Sequence, residues 1–333
     1  MKLVSFSEKG LTHLGVLEGH NVYRVQDLDA GLPDDMISWL ATGEKGFHQL
    51  NAALEPVQSG VRKVEPVSDY HLLAPVPRPT SCRDGYAFRQ HVAAARRNRG
   101  VEMIKEFDQY PIFYFTNHLA VQGPGEIFCM PDHFQQLDFE LEWAIVIGKE
   151  GRNIRAAEAD AYIGGFTIMN DLSARKLQME EMLLNLGPAK GKDFSTIIGP
   201  WLVTPDELES KRVAAKPGHV GNNYDLSMKC WVNGKQVSEG NVSDMDWTFA
   251  EIIERCSYGV TLYPGDVIGS GTVGTGCFLE LNGTARLNNP QHQAQWLMPN
   301  DTVTMEIDGL GTLENTIRAE ATDWSILQLK KNI

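Results

Sequence analysis

No two of the five cysteines in this 333-residue chain are spaced as C-x-x-C; Cys82, Cys129, Cys230, Cys256 and Cys277 are scattered, and their number is odd. That pattern argues against a disulfide framework and against a zinc site, and it points to reduced thiols in a cytoplasm. Positive charge is scarce, with 30 Lys and Arg against 43 Asp and Glu and a formal net charge of −13. Nucleic acid, a polyphosphate or an anionic membrane is therefore a poor partner, whereas an acidic small molecule can still be held by a local basic cluster. The sequence has no apolar run of membrane-spanning length, no repeats and no low-complexity tract, and its start, Met-Lys-Leu-Val-Ser-Phe-Ser-Glu-Lys-Gly, is too polar for a signal peptide. What is present is an ordinary globular composition, 42% hydrophobic and 22% charged, long enough for one large domain and a smaller one.

The most informative stretch is Leu137-Asp-Phe-Glu-Leu-Glu-Trp-Ala-Ile-Val-Ile-Gly148. Asp138, Glu140 and Glu142 alternate with Phe139, Leu141, Trp143, Ile145 and Ile147, which is the period of a strand with three carboxylates on one face. Ala144 and Val146 continue that face as apolar, so the carboxylates run into a buried surface. Repulsion and lost hydration there cost several kcal/mol per ion, as an order-of-magnitude figure, unless a cation sits beside them. Glu140 and Glu142 thus ask for a metal, the alternative being an antiparallel strand with one wet face.

Around this stretch, residues 1 to 29 read as a small β-meander, residues 34 to 54 as a helix interrupted at Gly43, and Pro75, Pro77 and Pro79 as a stiff extended segment. The domain boundary falls there, giving a small N-terminal β domain over 1–75 and a second domain over 76–333. A helix is predicted from Tyr86, with Asp84 as its cap and His91 two turns on. Asp171, Arg175 and Gln178 form one polar stripe at a strand-to-helix junction, and a glycine-rich loop carries Lys190 and Lys192 without P-loop spacing. Asn233-Gly234 marks a hairpin, Thr248 to Glu251 a capping box, and Phe278-Leu-Glu280-Leu a strand with one carboxylate among apolar neighbours.

Taken together, Asp84-x-Tyr86-x-x-Arg89-Gln90-His91, Leu137-Asp-Phe-Glu140-Leu-Glu142, Met169-Asn-Asp171-x-Ser-Ala-Arg175-x-x-Gln178, Gly191-Lys192, Gly269-Ser-Gly-Thr272 and Leu279-Glu280-Leu281 resemble the fumarylacetoacetate hydrolase family. The resemblance implies a β-rich α+β fold, a mixed β-roll catalytic domain with an SH3-like N-terminal barrel, and a homodimer. It implies metal ligands Asp84, Glu140, Glu142 and Asp171 around Mg²⁺ or Ca²⁺, with Mn²⁺ as a third candidate. His91 and Glu280 correspond to a proton-transfer dyad, Arg175, Gln178 and Lys192 to donors for developing negative charge, and Tyr86, Tyr114 and Thr272 to substrate contacts. The activity implied is hydrolysis of a carbon–carbon bond in a β-diketone acid, 4-fumarylacetoacetate in tyrosine catabolism. The alternatives are an acylpyruvate hydrolase, an oxaloacetate decarboxylase or an oxo-acid dehydratase or isomerase of the same family. Outside catalysis, the alternative is a metal-binding structural protein.

Overall fold

Short apolar runs separated by turn residues build the first three strands. In the computed structural model, which describes residues 1–331, these are β1 (Lys2–Glu8), β2 (Leu11–Glu18) and β3 (Asn21–Arg24). Helix α1 (Gly43–Gln58) follows and buries Leu50 and Leu54. After the proline-rich segment come β4 (Cys82–Gly85), α2 (Arg89–Asn98), β5 (Phe113–Thr116) and β6 (Gly125–Cys129). The acidic stretch forms β7 (Leu137–Asp138) and β8 (Leu141–Ile147), and β9 (Ile163–Asp171), β10 (Ser173–Ala174), α3 (Arg175–Met182) and β11 (Thr196–Val203) follow. The last third supplies β12 (Ser227–Val232), β13 (Lys235–Asn241), α4 (Phe249–Ser257), β14 (Val267–Gly269), α5 (Phe278–Asn288), β15 (Thr302–Ile307) and β16 (Gly311–Ala319).

The main sheet runs β3-β2-β1-β11-β9-β8-β14-β4-β5, and a second sheet runs β13-β12-β15-β16-β6. Both are mixed, with β14 parallel to β4 and β16 parallel to β6. Aromatic packing fills the core beside the main sheet, where Trp143 stacks on Phe166 at 5.1 Å between ring centroids and meets Phe249 at 4.9 Å. The hairpin at Asn233-Gly234 turns with positive φ at both residues, 52° and 75°, as a tight two-residue connection requires. Thr248 and Glu251 close the expected capping box on α4.

Three expectations change. No set of described strands closes into a barrel; the N-terminal meander instead extends the main sheet, with β1 pairing antiparallel to β11 through Lys2↔Val203 and Leu3↔Leu202. The apolar face of that meander is completed by α1 and by later strands, since Leu3 and Leu14 share one core with Leu50 of α1 and with Val146, Ile198 and Val267. Asp84 caps no helix. It lies in β4, held between β14 and β5, and α2 starts five residues later at Arg89. Glu280 sits in the first turn of α5 rather than on a strand. The helix is started from far away, because the Asp138 carboxylate accepts the N–H groups of Phe278 at 2.7 Å and Leu279 at 2.9 Å.

Candidate active site

Strand register gathers the acidic residues. Asp171 ends β9, Glu142 lies on the adjacent β8, and Asp84 lies on β4, one strand beyond β14. All seven residues of β8 are buried, so its polar face looks into the protein rather than at water. One carboxylate oxygen from each of Asp84, Glu142 and Asp171 lies within 4.8 Å of the others. The Gly271 N–H donates to Asp84 Oδ1 at 3.0 Å and to Glu142 Oε2 at 3.1 Å. Only glycine serves there, because φ is +80° and a Cβ would stand 2.7 Å from the Gly85 carbonyl oxygen. Thr272 donates to Glu142 Oε1 at 3.3 Å and Tyr114 to Asp171 Oδ2 at 2.6 Å. These two residues, expected against substrate, thus hydrogen-bond the carboxylates.

Electrostatics favours a cation at this place. Burial, followed by the charges of Asp84 and Asp171, pushes Glu142 well above the usual carboxylate range. Burial and then Asp171 raise Asp84 to about 7. Asp171 is also raised by burial, and its Oδ1 is buried without a hydrogen-bond partner. Three buried carboxylates raised above their ordinary range, one with an orphaned oxygen, fit a divalent ion, and an all-oxygen donor set suits a hard one.

Glu140, expected as a fourth ligand, meets this trio through a shared lysine. Arg175 Nη2 donates to Glu140 Oε1 at 2.7 Å, and Lys192 bridges Glu140 Oε2 and Asp171 Oδ2, the latter at 2.5 Å. Burial alone would raise Glu140, but Arg175 and then Lys192 outweigh it and hold the carboxyl well below its ordinary range. Lys192 itself is raised: burial opposes its charge, and Asp171 and Glu140 overcome that. Gln178 accepts from Arg175 Nη1 at 2.9 Å.

The dyad forms between helices α2 and α5. His91 Nδ1 lies 2.7 Å from Glu280 Oε2, and Glu280 Oε1 accepts the Thr275 N–H at 3.0 Å. Asn98 fastens α2 to α5 by donating to the Glu280 carbonyl at 3.0 Å. Tyr86 sets its ring edge-on to His91 at 6.0 Å. A carboxylate only accepts, so Nδ1 donates and Nε2 keeps a free lone pair.

Two positioning residues escaped the sequence reading. Asp138 is fully buried, accepts from Arg175 Nε at 2.9 Å, and by capping α5 ties that cation to the helix bearing Glu280. Its place in the alternating stretch was a signal, but its partners lie far along the chain. Glu181 accepts three successive N–H groups, from Ala189, Lys190 and Gly191 at 2.9, 2.7 and 3.1 Å, and so shapes the loop that delivers Lys192. A surface cavity of about 630 Å³ lined by Phe134, Val232, Phe278 and Trp296 includes none of the dyad or carboxylate residues.

This fold and this site define an enzyme of the fumarylacetoacetate hydrolase family: residues 80–318 match the fumarylacetoacetate (FAA) hydrolase C-terminal family, and the chain belongs to it. Among its relatives, a mitochondrial oxaloacetate tautomerase of Bos taurus is 34% identical over 331 residues, covering 95% of this chain and 91% of that protein. An oxaloacetate tautomerase of Bacillus subtilis is 29% identical over 296 residues, covering 86% and 87%. In fold, the chain resembles maleylpyruvate hydrolase from Sphingobium sp. SYK-6, solved with manganese(II) and pyruvate, with a TM-score of 0.68, 21% identity and coverage of 96% and 99%. All five cysteines are buried and free, but the bovine relative is mitochondrial, so reduced thiols do not single out the cytoplasm. No helix among the described residues is long and apolar enough to cross a membrane.

Proposed function

We propose that the chain is a metal-dependent oxo-acid tautomerase that interconverts the enol and keto forms of oxaloacetate or a closely similar 2-oxo diacid. The observation that carries this reading is the buried His91–Glu280 pair beside a carboxylate trio and two cations. Its support from relatives is that two of them, at 34% and 29% identity, are oxaloacetate tautomerases. Asp84, Glu142 and Asp171 would hold a divalent ion, Mg²⁺, Mn²⁺ or Ca²⁺, which supplies a Lewis acid for the 2-oxo group when bound.

The chain's own groups carry the proton and the charge. His91, with Nδ1 donating to Glu280, takes the C3 proton of the keto form at Nε2 and delivers it to the 2-oxo oxygen to give the enol, and the reverse transfer returns it to C3. Negative charge that builds on the 2-oxo oxygen as the proton leaves faces Lys192 and Arg175, fixed cations that need no reorganisation. Asp138 keeps Arg175 in place, and Glu181 keeps Lys192 in place. Burial of these side chains excludes water, which would compete for the enolate. Tyr86 and Gln178 are assigned to the rim that holds the substrate's second carboxylate end. A homodimer, as the resemblance implies, belongs to the same proposal and is checked by light scattering.

Hydrolysis of 4-fumarylacetoacetate is the second reading, because the same dyad can take a proton from water and the same cations can stabilise a leaving enolate. The test follows loss of enol absorbance after oxaloacetate is added to purified protein with Mg²⁺ or Mn²⁺, and again with chelator. Metal-dependent acceleration that disappears in His91→Ala supports the proposal; no acceleration by folded, metal-loaded protein overturns it.

A further inference from the structure

We propose that Thr275 is a positioning residue for proton transfer: its hydroxyl, tethered to β13, holds a left-handed turn that aims the Thr275 N–H at Glu280 Oε1 and so presents Oε2 to His91. The backbone supplies the first observation. Thr275 has a φ of 68°, and it is the one β-branched residue with positive φ among the described residues, the other non-glycines being Lys9, Asn153, Asn185, Asn233 and Asn300. Asparagine enters this region readily, whereas a β-branched side chain crowds the backbone there and is strained. Residues 273–276 form a turn closed by the Gly276 N–H, which donates to the Val273 carbonyl at 2.8 Å. Positive φ at the third residue of the turn, and not at Gly274, is the pattern of a type II turn, where glycine or asparagine is the ordinary occupant. Glycines stand on both sides of Thr275, yet neither takes the left-handed conformation.

Hydrogen bonds hold the strained residue in place. Its hydroxyl donates to the Glu239 carbonyl at 3.2 Å and lies 3.3 Å from the Ser238 hydroxyl, both on β13. Its N–H donates to Glu280 Oε1 at 3.0 Å, while Oε2 meets His91 Nδ1 at 2.7 Å. The terminal torsion of a glutamate is soft, so a carboxylate held at one oxygen alone can turn away from the imidazole. Fixed at both oxygens, it cannot. The turn is itself fastened to the strand that carries Glu142, since Leu141 donates to the Gly276 carbonyl at 2.8 Å and its own carbonyl accepts the Val273 N–H at 3.1 Å. Just upstream, Gly271 and Thr272 hydrogen-bond the Glu142 carboxylate. Gly274 presses on α2, where a Cβ would stand 2.3 Å from Cδ of Gln90, the neighbour of His91. One short loop thus touches the carboxylate site, the helix bearing the base and the carboxylate that orients it, and Thr275 sets the loop's shape. Slower turnover on loss of the tether rests on the tautomerase reading, whereas the placing of Glu280 does not.

The experiment uses full-length, Mg²⁺-loaded protein and reads the dyad first without substrate. A histidine Nδ1 proton held against a buried carboxylate gives a far-downfield proton resonance, and the signal that His91→Ala removes is that of His91. Thr275→Val keeps the shape and the strain but has no hydroxyl. It should broaden or lose this resonance and lower kcat for oxaloacetate ketonisation by about 10- to 100-fold at little-changed KM. Thr275→Ser, which keeps the hydroxyl, should restore both. In a Glu280→Ala background Thr275→Val should cost no further kcat, because it acts through that carboxylate, whereas a residue that only supports the fold would add its own loss. The proposal is overturned if the natural chain lacks the resonance, if folded Thr275→Val keeps it unchanged, or if the two kcat losses add. Should Thr275→Val fail to fold, Thr275→Gly, which adopts a φ of 68° without strain, lacks the same tether and is read in its place. A natural chain that shows the resonance but no tautomerase activity would count against the function alone, and the resonance in the variants then decides the proposal.

Discussion

Asp138 holds Arg175 through Oδ2 at 2.9 Å and, with the same carboxylate, caps the helix that carries Glu280. One side chain thus sets both the cation facing the developing charge and the carboxylate that orients the base. Asp138→Asn should lower kcat about 10- to 100-fold, as loss of an orienting partner does, with little change in metal affinity. Asp138→Ala leaves a buried guanidinium short of one partner and should also cost about 3–5 kcal/mol of stability. Paired kinetics and calorimetric metal titration separate the two effects; unchanged kcat in a folded Asp138→Asn protein would remove the residue from the account.

His91→Ala should abolish proton transfer, a loss of about 10²- to 10⁴-fold, while Mn²⁺ still binds to the carboxylate trio. Glu280→Gln should fall between the two, because the amide can still meet Nδ1 but bears no charge to stabilise the imidazolium. Joint loss of metal and fold in His91→Ala would mark the histidine as structural.

Glu142→Gln should have opposite effects on the two forms of the protein. Without metal, removing one of three mutually repelling buried carboxylates raises Tm. With metal, the variant forfeits the ion's stabilisation, about 2.7 kcal/mol at a concentration a hundredfold above Kd. Thermal melts with chelator and with excess Mn²⁺ read both signs.

The carboxylate trio also sets a pH dependence. Asp84 moves from 3.8 to about 7 in the folded chain, and Glu142 shifts the same way. A raised folded-state value means that stability is fully present below the unfolded value and is lost as pH rises through the folded one. The metal-free protein should therefore lose stability across this window. His133 slopes the other way, since burial and then Lys190 lower it from 6.5 to about 4. The clean readout is the difference in Tm between metal-loaded and chelated protein, which should widen as pH rises from about 5 to about 8. A difference that stays flat would mean that no ion replaces these protons.

The parts of the site built by local pattern were legible in the sequence. Period-two alternation from Asp138 to Ile147 marks a strand, and the stripe of Asp171, Arg175 and Gln178 marks the start of α3. Non-local parts were not. Leu279-Glu280-Leu281 looks like a strand because its helix is nucleated by Asp138, 140 residues from Phe278. Asp84 has the local look of a cap, but pairing with β14 and β5 overrides it. Glu140 and Glu142 are indistinguishable by spacing, and they part only because Arg175 and Lys192 arrive beside one of them. The N-terminal meander likewise shows its strands but not that its edge continues into β11.

The most direct test of the central claim compares two substrates on one preparation of Mg²⁺-loaded protein. We predict that kcat/KM for the enol form of oxaloacetate exceeds that for 4-fumarylacetoacetate by about a hundredfold or more, and that chelator removes the activity. Rapid, metal-dependent release of fumarate with no acceleration of oxaloacetate ketonisation would contradict the account and return the site to carbon–carbon hydrolysis.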